Sequence, residues 1–150
     1  MIKPVPASCA DAVALVAALD RDLTERYPDT PIYGIDTQGL EASGGRFLIA
    51  YVDGMAAACG AFRPFDGSAE IKRMYVAPGF RRRGLGRLIL HHLEHEAGRR
   101  GFGRGILETG RNQPEAIGLY VAAGWTPGVP FGPYIGDPLS VYFQKRLRLE

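Results

Sequence analysis

The chain has 150 residues, 46% hydrophobic and 23% charged, a balance that predicts one ordinary folded domain over residues 1–150 with a core that needs no disulfide staples. A net charge of +2 argues against nucleic acid as the partner, and no stretch nears the roughly twenty apolar residues of a membrane span. No long apolar run follows Lys3, so the N-terminus does not read as a signal peptide. Cys9 and Cys59 lie far apart and read as reduced thiols of a cytoplasmic protein.

Met1 to Pro6 reads as a short strand, kept at a sheet edge by Pro4 and Pro6. Ser8 and Asp11 form a Ser-x-x-Asp helix start of the capping-box type. Val13, Val16, Ala17 and Leu23 then give a helical stripe to about Arg26, ended by Pro28. From Asp29 to Gly45 the chain has no clear period and reads as a loop. Three strands follow: Phe47 to Val52, Met55 to Arg63 after an Asp53-Gly54 hairpin signal, and Ala69 to Val76 after a turn over Pro64 to Ser68. Leu85, Leu88, Ile89, Leu93 and Ala97 mark a helix from Arg83 to about Arg99, closed by Gly98 and Gly101. Gly105 to Thr109 is a buried strand. Pro114 to Ala123 is a helix with proline at a favoured first-turn position and Gly124 at its end. Trp125 opens another strand, and Ser140 to Leu147 is the last. The sum is a mixed α/β domain with antiparallel hairpins first and strand-helix units after.

The sharpest feature runs from Val76 through Pro78, Gly79, Arg81, Arg82, Arg83, Gly84, Leu85 and Gly86 to Arg87. A strand ends, a turn follows, and a helix starts at the glycines. The first N–H groups of a helix have no partner inside it, and with the helix dipole they favour an anion. Glycine lets backbone approach a phosphate, and arginine pairs with its oxygens. The spacing is neither a Walker loop nor a dinucleotide fingerprint, since both the Lys-Ser/Thr pair and a third glycine are missing. The plain alternative is a glycine-relaxed turn with a solvated charge run.

Arg81-x-x-Gly84-x-Gly86, set behind a strand ending in Val76, resembles the coenzyme A motif of the GCN5-related N-acetyltransferase (GNAT) superfamily. Glu70 to Val76 is similar to that family's fourth strand. Leu107-Glu108-Thr109 and the run Asn112, Ala116, Leu119, Tyr120, Gly124, Trp125 are similar to its next strand, helix and turn. The likeness spans Ala69 to Trp125. It implies a central, mostly antiparallel sheet with splayed fourth and fifth strands, helices on both faces, and direct transfer of acetyl from acetyl-coenzyme A to an amine. In such a fold the pantetheine arm pairs with the edge at Met74, Tyr75 and Val76 like an added strand. The N–H near Met74 faces the thioester carbonyl. The backbone between Arg82 and Arg87 holds the pyrophosphate, and Asn112 and Ala116 contact the arm. Tyr120 matches a tyrosine placed near the thioester sulfur. A thiol and a phenol differ in ordinary pKa by about 1.5, or roughly 2 kcal/mol, so a hydrogen bond to the leaving sulfur is well matched.

The resemblance makes Glu70 the general base that deprotonates the acceptor, with Glu108 as a second candidate. The competing reading of Glu70 is a salt-bridged strand residue, with Arg73 as its partner. For Asn112 a helix cap competes, and for Tyr120 a core position beside Trp125. Tyr33, Arg73 and Tyr134 are candidates for acceptor contact, Tyr134 as part of a lip formed with Phe131. His91 and His95 share a helix face, but no further ligands at metal spacing complete a site. Neither cysteine connects to the transfer site, so a covalent acyl-enzyme has no support. A catalytically silent coenzyme A-binding module remains the alternative function. RNA binding lacks the exposed aromatics it normally uses. The acceptor is a small-molecule or peptide amine, and both a monomer and a homodimer stay open.

Overall fold

The computed structural model describes residues 1–29 and 39–149. Among these, seven strands form one sheet: β1 (Ile2–Val5), β2 (Arg46–Val52), β3 (Met55–Phe65), β4 (Ser68–Val76), β5 (Arg104–Gly110), β6 (Thr126–Pro127) and β7 (Ser140–Arg146). The helices are α1 (Ala10–Arg26), α2 (Leu85–Arg99) and α3 (Pro114–Ala122). The strand order is β1-β2-β3-β4-β5-β7-β6. Every neighbouring pair is antiparallel except β4 and β5, because the chain between those two crosses over through α2.

Apolar side chains leave both faces of the sheet. On one face Ile71, Leu107 and Phe143 pack with Ile89, Leu90 and Leu93 of α2. On the other, Phe47, Ile49 and Cys59 meet Ala12, Leu15 and Leu19 of α1. The sheet is thereby covered on both sides, as the resemblance implies.

Four local expectations change. The cap of α1 is Cys9, not Ser8: its Sγ accepts from the Ala12 N–H at 3.5 Å. The helix starts at Ala10, and its buried stripe is Ala12, Leu15 and Leu19, while Val13 is 55% exposed. Val16 and Leu23 of the expected stripe still pack partly buried against this core, so Val13 is the position that misplaces it. β3 runs on through Pro64 to Phe65, and its turn is Asp66-Gly67, with φ of 49° and 82°. Proline is tolerated there because β2 begins at Arg46, opposite Phe62, leaving β3 beyond that point with no strand partner on that side among the described residues. Gly98 lies within α2, which ends at Arg99.

Candidate active site

β4 and β5 pair only at Ala69 with Gly105 and Glu70 with Ile106. Beyond these positions they part, and the edge of β4 from Ile71 to Val76 has no strand partner on the β5 side among the described residues. The gap opens into a cleft of about 540 Å³. Leu19 and Leu23 of α1 border it from one face of the sheet, and Gly86 of α2 with Leu119 of α3 from the other.

A bulge interrupts β4 beside the cleft. Cys59 pairs with Tyr75 and Ala61 with Lys72, so Arg73 and Met74 stand opposite Gly60 alone. Arg73 takes φ 60°, a left-handed conformation unusual for arginine. Gly60 is required, because a Cβ there would lie 2.6 Å from Met74 Sδ and 2.7 Å from Ile89 Cγ2. The Cys59 thiol donates to the Arg73 carbonyl at 3.2 Å, and burial pushes that thiol up to about 12.

Glu70 is 1% exposed and both its oxygens are engaged. Arg63 Nε donates to Oε1 at 2.8 Å, and the Tyr134 hydroxyl donates to Oε2 at 2.5 Å. Lys72 Nζ donates to the same hydroxyl at 2.5 Å and lies 3.8 Å from Glu70 Oε2. Glu70 and Lys72 share a face because they are two apart on a strand. The ion-pair partner of Glu70 is thus Arg63 across the β3–β4 ladder, not Arg73, which pairs with Asp20 of α1 at 2.6 Å. Burial lowers the Lys72 ammonium to about 8, against the pull of Glu70. Burial, then the bond to Glu70, raises the Tyr134 phenol.

Across the gap, Glu108 of β5 lines the cleft and accepts from Ser140 Oγ at 2.5 Å. Burial raises its carboxyl above the usual range, with the Ser140 bond and Lys72 opposing. Tyr120 of α3 is 5% exposed, its ring packed edge-on to Trp125 with centroids 6.2 Å apart. Among the described residues its hydroxyl has no hydrogen-bond partner, and burial, followed by Glu108, raises its pKa. A hydroxyl open to the cleft and without a protein partner is suited to a guest.

At the far end the turn before α2 holds two left-handed residues, Arg82 at φ 65° and Gly84 at φ 77°. Gly84 is the N-cap and supplies no side-chain bond, so the first N–H groups of α2 have no side-chain cap. Arg82, Gly84 and Leu85 line the cleft. Arg81 also lines it, with Nε donating to the Val76 carbonyl at 2.9 Å and its guanidinium over Tyr75.

The structure brings Glu70, Arg73, Met74, Tyr75, Val76, Ala116, Tyr120 and Tyr134 to this one cleft. Arg83 instead lies over the Phe80 ring, and Arg87 is exposed outside the lining. Asn112 is exposed and also outside it: its N–H donates to Tyr27 Oη at 3.0 Å and its carbonyl accepts from Arg26. The neighbouring Gln113 lines the cleft and accepts from the Gly110 N–H at 3.2 Å. Tyr134 is no lip; it sits in a 3₁₀ turn, Gly132–Tyr134, and is 1% exposed. Tyr33 lies outside the described residues. Lys72, Arg63 and Ser140 are members of the site that the sequence reading missed. Lys72 was within reach, since alternation puts it beside Glu70; Arg63 and Ser140 depend on strand register. Among the described residues no helix is long and apolar enough to cross a membrane, and no three His, Cys, Asp or Glu side chains gather as for a metal.

The model of the Acetyltransferase (GNAT) family matches residues 12–125. The chain belongs to this family. A curated relative, an IAA acetyltransferase of Azospirillum brasilense, is 39% identical over 137 residues, with 90% of each chain covered. A solved structure from Klebsiella pneumoniae, named for acyl-CoA N-acyl transfer, superposes with a TM-score of 0.82 at 33% identity, over 98% of this chain and 97% of that one. A Salmonella typhimurium acetyltransferase structure with its cofactor acetyl-CoA shares the fold, with a TM-score of 0.73 at 23% identity over 100% of this chain and 95% of that one. The mixed α/β fold and its two-sided helix cover are those of GNAT proteins, and this chain is a GNAT-type N-acetyltransferase.

Proposed function

We propose that this enzyme transfers acetyl from acetyl-coenzyme A directly to the amine of a small-molecule acceptor, within residues 1–150 as one domain. The observation that carries the reading is the unpartnered β4 edge from Ile71 to Val76, leading to the uncapped N-terminus of α2. An extended arm with two amides pairs with such an edge, and a diphosphate fits such a helix end. Gly86 supports the fit. A Cβ there would meet Leu119 at 3.4 Å and Val76 at 3.6 Å, ordinary contacts, so protein packing alone does not demand glycine. A guest lying against the backbone does.

Bound acetyl-coenzyme A would supply an acyl carbon activated as a thioester, whose carbon–sulfur bond breaks as the acceptor nitrogen bonds to that carbon. Arg82 and the first N–H groups of α2 hold the diphosphate. Glu108 takes the first proton from the acceptor ammonium, because its raised carboxyl is a better base near neutrality than an ordinary one. Tyr120 Oη donates a hydrogen bond to the leaving sulfur. Of the two protons the ammonium loses, one reaches solvent through Glu108 and the other ends on the sulfur. Glu70, with both oxygens engaged, positions Tyr134 and Lys72. Two unpaired thiols fit a cytoplasmic setting. The small-molecule acceptor is supported by the relative named for IAA.

The test is calorimetry with acetyl-coenzyme A on the intact protein and on an Arg82→Ala/Gly84→Pro variant, followed by thiol release with a library of amines. Binding lost in the variant together with amine-dependent release is the expected result. No binding by the intact protein refutes the reading, and binding without turnover of any amine turns it into a silent coenzyme A-binding module.

A further inference from the structure

Strict alternation along β4 would send Lys72 and Arg73 to opposite faces of the sheet. The bulge cancels that alternation for one residue. Lys72 reaches Tyr134 and Glu70, Arg73 reaches Asp20 of α1, and Met74 turns to the α2 face, where it packs in the core. Two adjacent cations therefore stand on the α1 side of the cleft, which both line. Both are withdrawn from water, with side chains 8% and 9% exposed.

Glu70 is shared among Arg63, Tyr134 and Lys72. The described residues do not satisfy Arg73 fully. Asp20 takes one Arg73 nitrogen, Nη1, and is itself 41% exposed. Arg73 Nε is buried without a hydrogen-bond partner among the described residues. A buried donor of this kind costs stability unless a guest satisfies it. Glu108, on β5 across the gap, lines the same cleft as Lys72, Arg73 and Tyr120. The cleft thus presents cations from β4 and an acid from β5.

We infer that the acceptor is an amino carboxylate, bound as a zwitterion with its carboxylate on Arg73 and Lys72 and its amine beside Glu108 and Tyr120. A planar carboxylate matches the edge of a guanidinium, and an ammonium matches Glu108. This rests on the acetyl transfer proposed above and names its substrate class.

The test measures thiol release from acetyl-coenzyme A with the proteinogenic L-amino acids and, in parallel, with their carboxamides, which keep the amine and lose the charge. At least one amino acid is expected to exceed its amide about 100-fold in kcat/KM, the scale for a desolvated charged hydrogen bond. In Arg73→Gln and Lys72→Met that ratio falls to about tenfold or less, while calorimetry shows unchanged affinity for acetyl-coenzyme A. The wild-type ratio needs no variant, so misfolding of either leaves the test standing. Amides as good as the acids, ratios the variants leave alone, or acetyl-coenzyme A binding with no amino acid turned over each overturn the inference. Failure of acetyl-coenzyme A to bind at all refutes the acetyl-transfer reading instead.

Discussion

Replacing Tyr120 by phenylalanine removes one oxygen and separates catalysis from packing. The ring is held by Trp125 and Phe143, with centroids 6.2 and 6.1 Å away, and phenylalanine keeps both contacts. The hydroxyl has no protein partner among the described residues, so its loss breaks no internal hydrogen bond. Stability should shift by less than about 0.5 kcal/mol, or roughly 2 °C in Tm for a chain of this size. The transition state loses a hydrogen bond to a developing thiolate, about 2 to 3 kcal/mol, which is about 30- to 160-fold in kcat. KM for acetyl-coenzyme A should hold, since the interaction strengthens only as the sulfur gains charge. Because burial raises the phenol pKa, the group stays protonated through neutral pH, and the variant should keep the wild-type pH profile. Steady-state thiol release and thermal melts read both quantities. A kcat unchanged in Tyr120→Phe, or a loss of activity matched by a large fall in Tm, would refute the reasoning.

Glu108→Gln should lower kcat about 100-fold and flatten the acid limb of kcat/KM. In the wild type that limb should lie above the ordinary carboxylate range, since the base loses activity as pH falls through its raised pKa. Lys72 gives a stability signature of the opposite sense to a usual lysine ion pair. Folding lowers it from 10.5 to about 8, so between those pH values the unfolded chain binds more protons and stability rises with pH. Relative to Lys72→Met, denaturant unfolding should show a gain of up to about 1.4 kcal/mol per pH unit in that window, and a flat difference counts against it. Gly60→Ala should cost about 1 to 3 kcal/mol by overpacking, read as a melt lowered by about 3 to 10 °C, because Met74, Ile89 and Leu93 all lie within 2.9 Å of the new carbon. Cys59, buried and with its thiol pushed up to about 12, should carry no acetyl group by mass spectrometry after incubation with acetyl-coenzyme A.

The elements with a clean period were legible in the sequence. β2 through β5, α2, α3 and β7 fall within two residues of their predicted bounds, because apolar alternation or a helical stripe marks each and Gly or Pro punctuates the ends. The turn at Arg81 to Gly86 was legible for the same reason. What escaped is set by pairing between distant segments. Nothing local says that Arg73 bulges, since the bulge exists only against Gly60 on β3. Register chose Arg63 as the ion partner of Glu70 where the shorter sequence distance pointed to Arg73. Asn112 matched a motif position, yet the backbone turns its neighbour Gln113 into the cleft instead. The cap of α1 escaped because cysteine sulfur does there what a hydroxyl usually does.

The early parting of β4 and β5 has a kinetic consequence. An opening bordered by α1 on one face of the sheet and by α2 and α3 on the other gives the proposed acceptor and donor separate walls. If each keeps to its own wall, neither has to leave before the other enters. Initial-rate lines should then intersect rather than run parallel, and a dead-end analogue of either substrate should leave the wall of the other unobstructed.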